Sequence, residues 1–156
     1  MARFRPAVTA DDGDTYTISL GPNERDLIRL VAEQLKELLV ETDGPVLRRL
    51  FPPPYGDDDE RNEGYAALAR PELIENRLAS LDVVIGSAEA TTLDEDSMAA
   101  WMRSINDVRL VLGTVLDITD DSEEVEVDDS NVATYQAYEV LGMLLETIVA
   151  ARSERL

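Results

Sequence analysis

A chain of 156 residues is long enough for one domain with a single core, burying roughly two-thirds of its unfolded surface without metal or disulfide. Its 33 acidic and 14 basic residues leave a net charge of −19, a field that repels phosphate backbones and anionic lipid and argues against direct nucleic-acid or membrane-surface binding. Histidine and cysteine are both absent, which removes thiol nucleophiles, disulfides, imidazole bases, Ser-His-Asp triads and the common structural zinc sites. Hydrophobic content of 44% is ordinary for a globular domain, so the charge does not make the chain disordered.

The amino terminus has Arg3 and Arg5 but meets Pro6, Asp11 and Asp12 before any apolar run, unlike a signal peptide. Arg3 to Val8 and Thr15 to Leu20 flank the turn-forming Asp11-Asp12-Gly13-Asp14. In the second segment Tyr16, Ile18 and Leu20 alternate with polar residues, which predicts a β-hairpin over residues 1–20, with Pro6 at its edge. From Pro22 to Glu41, Leu27, Ile28, Val31, Leu35, Leu38 and Leu39 recur at helical spacing, with proline suited to the first turn. Asp43-Gly44-Pro45 resets the chain, Val46 to Phe51 allows a short helical piece, and Pro52-Pro53-Pro54 ends it in a stiff extended stretch. Asp57 to Glu60 read as a solvated loop.

A second long helix is expected from Glu72 to Ala88, with Pro71 at its start and Ile74, Leu78, Leu81 and Ile85 on one stripe. A third begins at an Asp94 N-cap, with Glu95 and Asp96 favoured by the helix dipole, and carries Met98, Trp101, Ile105, Val108, Leu112 and Val115 along one face. The eight acids between Asp117 and Asp129 predict an acidic loop. The last helix, capped by Asp129 or Ser130, runs to about Arg152 with Tyr138, Leu141, Leu145 and Ile148 inward. The expected fold is mainly α: a helical bundle over 22–152 with a short N-terminal β-hairpin, in one domain over 1–156.

No residue pattern supplies a catalytic or cofactor site. The acidic run lacks the glycine of a calcium loop, so it reads as a linker rather than a metal site. No motif singles out a catalytic carboxylate pair, and there is no Gly-rich phosphate loop with a following lysine. Lys36 reads as a surface lysine paired with Glu33 or Glu37. Arg109, beside the apolar face of its helix, suggests a half-buried ion pair, and Trp101 suggests core.

The unusual segment is Arg48-Arg49-Leu50-Phe51-Pro52-Pro53-Pro54-Tyr55. It reads either as a rigid connector whose Phe51 and Tyr55 plug the bundle, or as a preorganised recognition loop that loses little entropy on docking. On the second reading Arg48, Arg49, Phe51, Pro53 and Tyr55 are the partner-binding candidates. Charge is uneven: residues 1–56 carry seven basic against nine acidic groups, whereas residues 57–156 carry seven against twenty-four, so attraction for a basic partner comes from the second portion.

The series Arg49-Leu-Phe-Pro-Pro-Pro-Tyr55 with Asp57 and Asp58, then Asn76-Arg77-Leu78, the segment Trp101 to Gly113, and Tyr138-Glu-Val-Leu-Gly142 resembles an actinobacterial family of uncharacterised-domain proteins. That family includes the oxidative-stress regulator AosR, and the likeness spans nearly the whole chain. Family members tend to lie in gene neighbourhoods with the Clp protease adaptor and sulfur-carrier cysteine synthesis, which implies a regulatory or adaptor role. With no cysteine, disulfide sensing cannot operate here, and only Met1, Met98, Met102 and Met143 hold oxidisable sulfur.

The combined expectation is a non-enzymatic cytoplasmic regulator that acts through protein-protein contact, with a transcription component or protease adaptor as partner. It needs no cofactor, and spare bundle surface would allow a homodimer. The alternative is a small-molecule-binding helical domain.

Overall fold

The computed structural model describes residues 6–41, 44–118 and 126–154. Strands β1 (Val8–Ala10) and β2 (Thr15–Ile18) form an antiparallel hairpin, with Val8 opposite Ile18 and Ala10 opposite Tyr16; the first strand begins where the expected Arg3 to Val8 segment ends, and residues 1–5 lie outside the described residues. Gly13 takes the positive φ of 108° that the turn between them requires. Alternation buries Tyr16 and Ile18 as the sequence predicts, because successive strand residues point to opposite faces. Pro6 lies before the first strand rather than in it.

Helix α1 (Pro22–Glu41) follows directly and buries Ile28, Val31, Ala32, Leu35 and Leu39. A single 3₁₀ turn at Pro45–Leu47 leads through Leu50 into the proline stretch. Helix α2 (Asp59–Ser87) departs from expectation: it starts thirteen residues before Glu72 and continues through Pro71. The acids read as a loop are its start signal. Asp58 accepts a hydrogen bond from the Arg61 amide at 3.2 Å, and Asp59 and Glu60 occupy the first turn, where the helix dipole favours carboxylates.

A third strand, β3 (Thr92–Asp94), extends the hairpin into a sheet of order β1-β2-β3, with Leu93 opposite Tyr16. Three residues are too few to show a strand period, so this segment reads only as the approach to a helix. Helix α3 (Glu95–Val115) is capped as predicted by Asp94, whose carboxylate accepts from the Ser97 amide at 2.8 Å and is held below its ordinary pKa by that bond. Met98, Trp101, Ile105 and Val108 are buried, but the stripe then drifts: Val111 enters the core and Val115 is exposed. Helix α4 (Val132–Ser153) buries Leu141, Leu144, Ile148 and Ala151. Its N-cap is Asn131, not Asp129 or Ser130; Asp128 instead accepts from the amide and hydroxyl of Ser130. Of the acidic segment, residues 119–125 lie outside the described residues, while Glu126, Asp128 and Asp129 are exposed.

α3 is the centre of the bundle. It packs against α1, α2 and α4, while α4 also covers β1. Trp101, fully buried, donates its indole N–H to Ser87 Oγ at 2.8 Å, joining α3 to the end of α2. Lys36 pairs with Asp82 of α2 at 2.7 Å rather than with a neighbour on its own helix, because α1 and α2 lie side by side.

One charged residue joins the sheet to α1 and to the end of α2. Arg25, in the first turns of α1, is buried and gives its guanidinium to four carbonyls: Leu20 (3.1 Å), Ala88 (2.9 Å), Ala90 (2.7 Å) and Ile18 (3.3 Å). The strand β2, the end of α2 and the approach to β3 therefore converge on one side chain. Replacing Arg25 with methionine keeps the aliphatic stem and strands those acceptors, so unfolding in urea should show a loss of about 3 kcal/mol, or a Tm lower by roughly 6–12 °C. Arg25→Lys should recover only part of this, since an ammonium cannot reproduce the guanidinium fork.

Candidate functional site

The proline segment forms a ridge on the first half of α2. Phe51 is half-buried, whereas Pro52, Pro53, Pro54 and Tyr55 are exposed. The chain turns sharply at Gly56, whose φ of 57° suits glycine. Asn62 of α2 staples that turn from both sides: its Oδ1 accepts from the Tyr55 amide at 3.0 Å and its Nδ2 donates to the Gly56 carbonyl at 3.1 Å. The Tyr55 ring meets Tyr65 edge-on at 6.4 Å, and the Arg61 guanidinium lies 5.7 Å from the Tyr55 ring centre. Between the prolines and the helix runs a groove of about 160 Å³ lined by Phe51, Pro53, Asn62, Tyr65, Ala66 and Arg70.

Beneath the ridge, Phe51 is held between two guanidinium groups, Arg70 at 4.4 Å and Arg77 at 5.3 Å from the ring centre. Such cation-π contacts contribute on the order of 0.5–2 kcal/mol each, more where water is excluded. Arg77 also donates to the Leu50 carbonyl at 3.0 Å and to Asp107 of α3 at 2.7 Å, so one arginine ties the root of the proline segment to the central helix. Asp107 is buried, and desolvation pushes its carboxyl above the ordinary value of 3.8 despite the opposing pull of Arg77.

The five candidates named from sequence thus separate. Phe51, Pro53 and Tyr55 share the ridge. Arg48 is exposed with no ion pair among the described residues, whereas Arg49 turns inward and donates to the Ile118 carbonyl beyond α3. Gly113 makes room for it: a Cβ there would stand 2.7 Å from Arg49 Nη1. Sequence reasoning missed Tyr65 and Leu68, which α2 adds to the surface; Leu68 is 87% exposed and Tyr65 42%. Their three-residue spacing beside Asn62 is the signal, hidden because Pro71 was read as the start of the helix. The expected ion pair at Arg109 is also corrected. Its guanidinium lies over the Tyr138 ring of α4 at 4.4 Å, and the ion pair belongs to Asp107, two residues earlier.

Elsewhere, an open cleft of about 640 Å³ lies between the sheet, α3 and α4, lined by Asp14, Asp94, Asp96, Met102, Val149 and Arg152. Among the described residues, no group of three or more acidic side chains is arranged to hold a metal ion, and no helix is long and apolar enough to cross a membrane.

The raised pKa of Asp107 sets a pH dependence. An unfolded aspartate releases its proton near 3.8, whereas the folded one keeps it to higher pH, so the folded state binds more protons between those values and stability from this group falls as pH rises through them. In urea titrations across that window, the stability of the wild type relative to Asp107→Asn should decline with rising pH and then level off; an advantage that grew with pH would contradict the burial argument.

The comparisons with known proteins find relatives along most of the chain. The oxidative stress regulator AosR of Mycobacterium tuberculosis is 28% identical over 91% of this chain and 84% of its own length, and the Mycobacterium bovis protein of the same name matches equally. A Mycobacterium leprae protein carrying the AosR name is 30% identical over 69% of this chain and 58% of its own. No solved structure matches. A family model described as a domain of unknown function, DUF2017, matches residues 1–152, and the chain belongs to that family.

Proposed function

We propose that this protein is a non-enzymatic, stress-linked regulator that works by protein-protein contact, with the ridge of Pro53, Tyr55, Tyr65 and Leu68 as its contact surface. The relatives are named as oxidative stress regulators, which supports the stress link. The observation that carries the contact reading is the run of exposed apolar groups from Pro52 to Tyr55 set against Tyr65, with Leu68, 87% exposed, about one helical turn beyond Tyr65 on a helix half none of whose residues is buried. Aromatic residues of this kind are favoured at interface centres, and a stapled proline segment is already ordered before a partner arrives.

The partner we favour is a transcription component or a protease adaptor presenting an apolar pocket beside basic groups. A body of net charge −19 steers such a partner electrostatically, and the association rate falls as salt rises. Nucleic acid and membrane surfaces, both anionic, are repelled by the same field.

The test is capture from lysate by the wild type and by a Tyr55→Ala, Tyr65→Ala, Leu68→Ser triple variant. Capture of a specific protein should fall by tenfold or more, about 1.4 kcal/mol or greater, with Tm within about 2 °C of wild type. A fall in Tm with capture intact would make the ridge a structural connector.

A further inference from the structure

We propose that Met102 is a methionine oxidation site through which peroxide loosens the seam between α4, α3 and the sheet. The four methionines differ sharply in setting. Met98 is fully buried, which excludes oxidant, and Met143 is 63% exposed on α4, where a sulfoxide is solvated. Met1 lies outside the described residues. Met102 alone among the other three combines access with a structural contact: it lines the open cleft beside Val149, and its Sδ lies 3.1 Å from Arg152 Nη1.

That arginine is the clasp at the end of α4. Its Nε and Nη2 donate to Glu95 Oε1 at 2.9 and 2.7 Å, and the other oxygen of Glu95 accepts from the hydroxyl of the buried Tyr16. Three elements, α4, α3 and β2, thus meet around one guanidinium and one carboxylate. In the reaction the thioether sulfur attacks one oxygen of hydrogen peroxide. The O–O bond breaks, an S–O bond forms, sulfur loses two electrons, and the remaining hydroxide takes the proton of the transferred oxygen and leaves as water. The sulfoxide oxygen is a far stronger acceptor than the thioether, and it must fit where Nη1 already touches the sulfur. The guanidinium shifts to admit and bond the new oxygen, which moves it off Glu95, and the last turn of α4 loses its tie. The inference stands on this geometry alone, independently of whether the proline ridge captures a protein.

The full-length protein, treated with graded hydrogen peroxide, should be followed by peptide mass spectrometry and amide hydrogen exchange. Met143 should convert first and Met102 second, with Met98 protected while the chain stays folded. Conversion of Met102 should raise exchange of the amides at 150–154 by about tenfold. Met143→Leu should show the same rise, and Met102→Leu, measured against its own untreated baseline, should show none. The proposal fails if Met102 stays reduced until Met98 is oxidised, or if Met102 sulfoxide leaves exchange at 150–154 unchanged.

Discussion

The fold depends on a buried guanidinium. A sheet of ten strand residues cannot bury much apolar surface, so something beyond hydrophobic contact must hold it to the helices. Arg25 does so by gathering carbonyls from both sides of the seam. Those carbonyls lie at or just beyond the ends of β2 and α2, where helix and sheet ladders run out of partners. A cation is acceptable inside because its donors are spent on several partial negative charges rather than left bare.

Arginine serves the same purpose elsewhere. Arg77 joins the proline segment to α3, Arg49 reaches the carbonyl beyond α3, Arg109 lies on Tyr138, and Arg152 clasps the end of α4. Much of the positive charge is therefore turned inward or drawn into seams, while carboxylates dominate outside. The protein meets its surroundings as a more acidic object than its overall composition suggests. Exposed pairs such as Lys36 with Asp82 add little by comparison, since two solvated ions lose as much hydration and freedom as they gain in attraction.

Much of this was legible in the sequence where one physical signal dominated. The alternation around Tyr16, the leucine spacing of α1 and the carboxylate cap at Asp94 each bury or satisfy groups locally, and each stands as read. The failures have a common cause. The proline at 71 reads as a start, yet the cap at Asp58 begins α2 well before it and the packing of Ile74, Leu78 and Leu81 holds the turns beyond it. Strand β3 is specified by its partner rather than by its own three residues. Arg25, Arg77 and Asp107 occupy slots beside buried apolar residues, three residues from Ile28 and four from Leu81 and Val111 respectively, and such slots are normally filled by hydrocarbon. A charged residue in one is a mark of a buried tie, but its partners, carbonyls for Arg25, a carbonyl and a carboxylate for Arg77 and a guanidinium for Asp107, lie far along the chain and cannot be read from spacing. The ridge was half visible: its prolines and aromatics were evident, while the face supplied by α2 was not.

Two glycines give the inward arginines their room. A Cβ at position 142 would come within 3.0–3.2 Å of three atoms of the Arg109 guanidinium, just as one at position 113 would meet Arg49. Each arginine and its glycine therefore meet as plug and socket, and a side chain added at either glycine obliges the guanidinium to give way. A bulkier residue at 142 is accommodated only as far as the Arg109 guanidinium can slide across the Tyr138 ring, so filling the socket is felt first in the seam between α3 and α4.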